Sequence, residues 1–144
     1  MSKKKEDVRF SKFGTVSFTQ TTRVNDFIDH LEKGKVMYTR CNNCGADFFP
    51  PRADCGQCLS SDMQWREVTG NGKLVSFSRL QFAPVGFDAD LPYSIAMLDY
   101  GNYQVFGRLD KDVDLAKVKI GMPMTTVVNE LPNGQLNFVF KIAE

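Results

Sequence analysis

Between Thr22 and Lys33 the apolar residues recur at helical spacing. Val24, Phe27, Ile28 and Leu31 fall at i, i+3, i+4 and i+7 and make one stripe. Thr22 or Asn25 stands where a helix takes its cap, and Gly34 where it ends in a left-handed residue. About three turns are too few for an isolated helix, so the stripe must be buried against another surface. Ahead of it, residues 1 to about 20 are polar with scattered Phe10, Phe13 and Phe18. This reads as an arm that packs on something larger, with simple fraying as the alternative.

From Val36 onward the period shortens to that of strands. Val36–Arg40 and Met63–Val68 are predicted strands on either side of a cysteine-rich segment, and Gly70-Asn71-Gly72 is a predicted turn. Lys73–Leu80 follows, with Val75 and Phe77 on one face. Tyr93–Tyr100 is apolar on both faces, as a central strand is. Gly101-Asn102 turns the chain into Tyr103–Leu109, where Tyr103, Val105 and Leu109 oppose Gln104 and Arg108. A short helical piece near Val113–Lys117 precedes Met124–Glu130. Asn133-Gly134 marks a hairpin into Leu136–Ile142, whose Leu136, Phe138, Phe140 and Ile142 alternate inward against Asn137, Val139 and Lys141. Five strands with a helical insert before the fourth predict a mainly β chain ending in an OB-fold barrel, with a small open sandwich as the competing arrangement. The expected divisions are an arm and helix over 1–34, a ribbon over 35–67 and a barrel over 68–144.

Composition narrows the function more than the fold. The 144 residues are 42% apolar and 24% charged, the profile of a globular chain. Eighteen Lys and Arg oppose seventeen Asp and Glu, for a net charge of +1. Affinity for nucleic acid comes mainly from clustered cations, so a near-neutral chain is a poor candidate for it. No apolar run approaches the roughly 18 residues of a spanning helix, and the basic Met1-Ser2-Lys3-Lys4-Lys5 start lacks the apolar stretch of a signal peptide. A cytoplasmic protein with reduced thiols is expected.

The four cysteines are Cys41, Cys44, Cys55 and Cys58, two CxxC pairs with ten residues between them. That spacing lets each pair turn both sulfurs inward on a tight knuckle, giving a tetrahedral four-sulfur site for one structural Zn²⁺. Gly45 and Gly56 supply backbone freedom beside the knuckles. Two disulfides would need an oxidising compartment, and a redox CxxC would need a strand–helix alternation that is absent. Iron fits the same four sulfurs. A closed site with no open coordination position holds structure and performs no catalysis, and no thiol is left over for a nucleophile. His30 is the only histidine. No catalytic residue is assigned and no self-contained active site is expected.

Arg40-Cys41-Asn42-Asn43-Cys44-Gly45 together with Phe49-Pro50-Pro51-Arg52-Ala53-Asp54-Cys55-Gly56-Gln57-Cys58 resembles a family of bacterial and archaeal proteins associated with acyl-CoA metabolism. Members carry a rubredoxin-like zinc ribbon followed by an OB-fold. The helix ending at Gly34-Lys35, the stretch Gly70–Ser78, Pro92-Tyr93 with Leu98–Gly101, and Ile120-Gly121-Met122 extend the resemblance over residues 20 to 144. Gly56 departs from it, since the family usually has proline after the third cysteine. The resemblance implies an accessory subunit that sits on a thiolase-family catalytic subunit in a hetero-oligomer and helps to shape or cover its CoA site. Within the family the chain looks most like the zinc-finger subunit of the thiolase that splits benzoylsuccinyl-CoA into benzoyl-CoA and succinyl-CoA in anaerobic toluene degradation.

Beyond the cysteines, Arg52, Lys73 and Arg79 are candidate contacts to an acyl-CoA phosphate or a partner carboxylate, against local pairing or plain solvation. Phe82 and Phe87 lie in a long loop, Gln81–Pro92. Such a loop reads equally well as a ligand or partner contact and as a cap on the barrel's open end. Trp65 is expected to pack between ribbon and barrel. Two other functions compete with the accessory subunit. A single-stranded nucleic-acid module would use Phe106 and Arg108 on one strand face, but Asp99, Asp110, Asp112 and Asp114 lie near them in sequence. Electron transfer would use iron, although the gap between the CxxC pairs is shorter than in true rubredoxins.

Overall fold

β1 (Met37–Cys41) carries the chain to its first cysteine. It pairs antiparallel with both β2 (Asp47–Phe48) and β3 (Met63–Glu67), giving a three-stranded ribbon in the order β2-β1-β3. These strands come from a computed structural model that describes residues 5–19 and 21–143. The first four residues of the basic N-terminus lie outside the described residues.

Five strands follow: β4 (Asn71–Leu80), β5 (Tyr93–Asp99), β6 (Gln104–Leu109), β7 (Pro123–Glu130) and β8 (Leu136–Ile142). They close into a barrel in the order β4-β5-β6-β8-β7, with β7 returning to β4 through Asn71↔Thr125 to Lys73↔Pro123. β6 and β8 run parallel and the other pairs antiparallel. This is the OB-fold arrangement, with a 3₁₀ turn at Leu115–Lys117 where the sequence predicts its helical insert.

One core joins all parts. Leu74, Leu98, Val105, Met124 and Phe140 fill the barrel, while Phe27, Ile28 and Leu31 enter from α1 (Asp26–Glu32) and Met37 and Tyr38 from the ribbon. Each such side chain stabilises the fold by roughly 1.5–3 kcal/mol when fully buried. The N-terminal arm packs on its own chain. Phe10 stacks on Phe27 at 6.0 Å, Phe13 lies 6.1 Å from Phe138, and Gly14 N–H donates to the Leu136 carbonyl at 2.7 Å. Arg9 adds ion pairs to Asp26 and Asp29. Exposed pairs of this kind contribute little, so the aromatic contacts hold the arm.

Several expectations need correction. The helix begins at Asp26, and neither Thr22 nor Asn25 caps it through a side chain. Instead the Asn25 amide donates to the Thr22 carbonyl at 2.8 Å, and Thr22 Oγ1 accepts from Val24 N–H at 3.3 Å. Asn71 and Gly72 belong to β4, leaving only Gly70 at the turn. Gly72 faces the barrel wall: a Cβ there would lie 2.7 Å from the Tyr100 ring. Val75 and Phe77, expected on one face of their strand, are 43% and 37% exposed. A bulge between Leu74 and Ser76 breaks the alternation, and past it Phe77 pairs with Ala96 toward the barrel's open end. On β8, Asn137 and Val139 are buried rather than outward, with Asn137 accepting from the Asn129 amide at 2.9 Å. Trp65 packs on the helix, its ring 5.4 Å from His30.

Candidate functional site

The two knuckles bring all four sulfurs together, every Sγ lying within 4.8 Å of the others. Cys41 and Cys58 are 3.5 Å apart, as are Cys44 and Cys55. A tetrahedron with metal–sulfur bonds of about 2.3 Å has edges of about 3.8 Å, so the donor set fits one four-coordinate ion. Backbone N–H groups already point at the sulfurs: Cys44 N–H at Cys41 Sγ (3.5 Å), and Gln57 and Cys58 N–H at Cys55 Sγ (3.3 and 3.4 Å). The Asn43 amide donates to Cys58 Sγ at 3.4 Å. With Ser60 N–H, it holds the Cys58 thiol down at about 6, in the form a metal needs.

The glycines divide the work differently from the sequence expectation. Gly45, just after the first knuckle, is left-handed (φ +77°). The equivalent place after the second knuckle is held by Leu59 (φ +64°), not Gly56. Gly56 instead leaves room for an arginine, because a Cβ there would lie 2.9 Å from Arg52 Nη1.

The remaining candidates do not converge. Arg52 lies on the ribbon with its guanidinium 5.3 Å from the Phe48 ring centre, and its backbone N–H donates to Thr39 Oγ1. Lys73 is exposed at the β4–β7 seam. Arg79 is exposed six residues further along the same strand, at the edge of a polar cleft of about 770 Å³ at the other end of the barrel. The Gln81–Pro92 loop divides between its two readings. Phe87 turns back onto the barrel, 5.6 Å from the Arg108 guanidinium, whereas Phe82 is 90% exposed where the loop leaves β4.

Sequence reasoning missed the group that fastens this loop. Asp90 accepts from Arg108 at 3.0 Å and from the Thr15 hydroxyl, tying loop, barrel and arm together, and Arg108 also lies 4.1 Å over the Tyr93 ring. Sequence separations of 18 and 75 residues left no local signal of this contact. Burial pushes the Asp90 carboxyl up, but the Thr15 and Arg108 hydrogen bonds outweigh it and hold the group below its usual value. A depressed folded value means the stabilisation is present above the ordinary carboxylate range and is lost as pH falls through the folded value. Asp90→Asn is therefore expected to destabilise the protein by about 1–3 kcal/mol at neutral pH, with the difference from wild type closing in acid. Denaturant titrations from neutral to acidic pH measure it, and a gap independent of pH would contradict it.

Among the described residues, no helix is long and apolar enough to cross a membrane.

Comparison with known families supports both halves of the fold. Residues 29–64 match the rubredoxin-like zinc ribbon domain of ChsH2, and residues 65–129 match the ChsH2 C-terminal OB-fold domain. The chain belongs to the ChsH2 zinc-ribbon and OB-fold family. This DUF35-type family includes similar proteins in archaea. A "DUF35 domain-containing scaffold protein" of Methanocaldococcus jannaschii is 34% identical over 69 residues, 47% of this chain and 49% of that protein. A protein of the same description from Pyrococcus furiosus is 27% identical over 100 residues, 69% of this chain and 73% of its own length. The match thus spans about half of the first relative. Among solved structures, one described as "Ltp2-ChsH2(DUF35) aldolase" superposes with a TM-score of 0.68 at 23% identity, covering 81% of this chain and 91% of that one. A DUF35-family protein of unknown function from Sulfolobus solfataricus gives 0.54 at 19% identity, covering 76% and 81%. At these identities the likeness concerns the fold.

Proposed function

We propose that this ChsH2-family chain is a non-catalytic, zinc-binding accessory subunit of a thiolase-type acyl-CoA acyltransferase. It would sit on the catalytic subunit and shape or cover its CoA and substrate site. The observation that carries the reading is the cysteine cluster: all four cysteines of the chain meet at one metal site, so no thiol is free to serve as a nucleophile. Zinc is the expected ion, and its work is to hold the ribbon that the partner meets. Two archaeal relatives are described as scaffold proteins, and a ChsH2 structure is described as part of an aldolase with Ltp2. Both descriptions favour a role beside another enzyme. The specific reaction proposed is the cleavage of benzoylsuccinyl-CoA to benzoyl-CoA and succinyl-CoA, a reading that rests on family resemblance. The exposed Phe82, at the start of the loop after β4, is the proposed first contact with the partner.

Single-strand nucleic-acid binding is disfavoured by Arg108. Its guanidinium is engaged by Asp90 and two aromatic rings and is not available to track a phosphate backbone.

Co-expression with a thiolase-family catalytic subunit tests the reading. The two chains are expected to elute as one complex, and Phe82→Asp is expected to weaken that complex at least tenfold without changing the fold. Elution as separate species, with zinc and fold intact, would rule out the partnership.

A further inference from the structure

The ribbon, the arm and the barrel line an open cleft of about 830 Å³. Its walls are mostly aromatic. Phe48 and Phe49 come from the ribbon, Phe138 from β8, and Phe106 from the outer face of β6, where its ring is 53% exposed. Phe49 meets Phe138 edge to face at 5.5 Å, so the floor is an ordered aromatic surface.

The charges in this cleft are few and unequal. The Asp47 side chain is 2% exposed and is neutralised by Arg40, which donates to its two oxygens at 2.6 and 2.9 Å. Arg52 is the other charged side chain lining the cleft, and it makes no ion pair among the described residues. Its guanidinium rests over Phe48, one face on the ring and its donor edge free for an acceptor. A volume in the range of small-molecule sites, apolar walls and one unpaired cation at the rim together define a ligand type.

We propose that this cleft is a binding site for an organic anion with an aromatic or alkyl body, an aryl or medium-chain carboxylate. The apolar body lies against Phe49, Phe106 and Phe138, and the carboxylate is held by Arg52. The inference is independent of the accessory-subunit reading, because every residue involved belongs to this chain.

Titrating the full-length, metal-loaded chain with 3-phenylpropionate tests it, followed by calorimetry and by amide chemical shifts. Saturable binding is expected with a Kd on the order of 1 mM or tighter, with shifts centred on Phe48, Phe49 and Phe106. The uncharged 3-phenylpropanamide is expected to bind about tenfold more weakly, and Arg52→Gln to remove that preference. Phe106→Ala is expected to weaken both ligands alike. Arg52 and Phe106 are exposed, so both variants are expected to keep their metal and their thermal midpoint. Absence of saturable binding would overturn the proposal, and so would shifts confined to the polar cleft around Arg79. Equal affinity for acid and amide would overturn the role of Arg52 and with it the proposed ligand class.

Discussion

Replacing Cys55 by serine is expected to release the metal and unfold the ribbon. The reason is how little else holds that segment. β2 has two residues and meets β1 at two register positions, and the hairpin between the knuckles contributes only Pro51 and the partly buried Phe49 to the interior. Cys55 itself is 1% exposed and accepts two backbone N–H groups; a serine hydroxyl can still accept these, but it removes the thiolate ligand. Zinc binding in ribbon-sized peptides supplies about 10–16 kcal/mol at pH 7, as much as the whole stability of an ordinary domain. The loss should also reach the barrel, because Met37 and Tyr38 lie in the common core and the Tyr38 ring stacks on Tyr103 at 4.1 Å. Metal analysis and thermal melting read both effects. Wild type is expected to hold about one zinc per chain and the variant none, with a midpoint lower by 10 °C or more on the order expected for several kcal/mol. A variant that melted with wild type and kept its zinc would show that the cluster is not structural.

Phe140→Ala is expected to be nearly as damaging, by about 3–5 kcal/mol. The ring is 0% exposed and leans over the neighbouring strand β6, where Gly107 makes room for it. A Cβ on Gly107 would stand 3.0 Å from Phe140 Cζ and 2.8 Å from Phe138 Cε2. Truncating Phe140 leaves a void that neither the glycine nor the flanking Leu109 can fill. Denaturant unfolding measures the loss, which should appear as a lower midpoint at unchanged slope. A change under about 1 kcal/mol would mean that the barrel interior can collapse around the gap.

The parts of the fold legible in the sequence were those written in local periodicity. The stripe of α1, the alternation of β6, the Asn133-Gly134 hairpin and the paired CxxC motifs each depend on residues a few positions apart. What was not legible depended on distant residues or on a break in period. The bulge near Val75 reverses the faces of β4 without any Gly or Pro to mark it. Asn137 and Val139 read as outward until the rest of the fold covers them. The second knuckle puts Leu59 where the first has glycine, so the composition of the knuckles misassigned the role of Gly56. The site residues follow the same division. The cysteines were visible as a set, while the Thr15–Asp90–Arg108 contact and the aromatic cleft bring together segments far apart in the chain. Arg52 was singled out for its guanidinium, but the cleft beside it could be seen only in three dimensions.

The central claim is that this ChsH2-family chain contributes no catalysis of its own and completes a partner's site. The most direct measurement is acyl-CoA cleavage by the purified zinc-loaded chain, by the proposed thiolase-family catalytic subunit alone, and by the two recombined, with benzoylsuccinyl-CoA and free CoA as substrates. The account predicts no turnover by this chain, little by the thiolase alone, and full activity only when both are present in a saturable ratio. Turnover by the isolated chain at the rate of the mixture would contradict it.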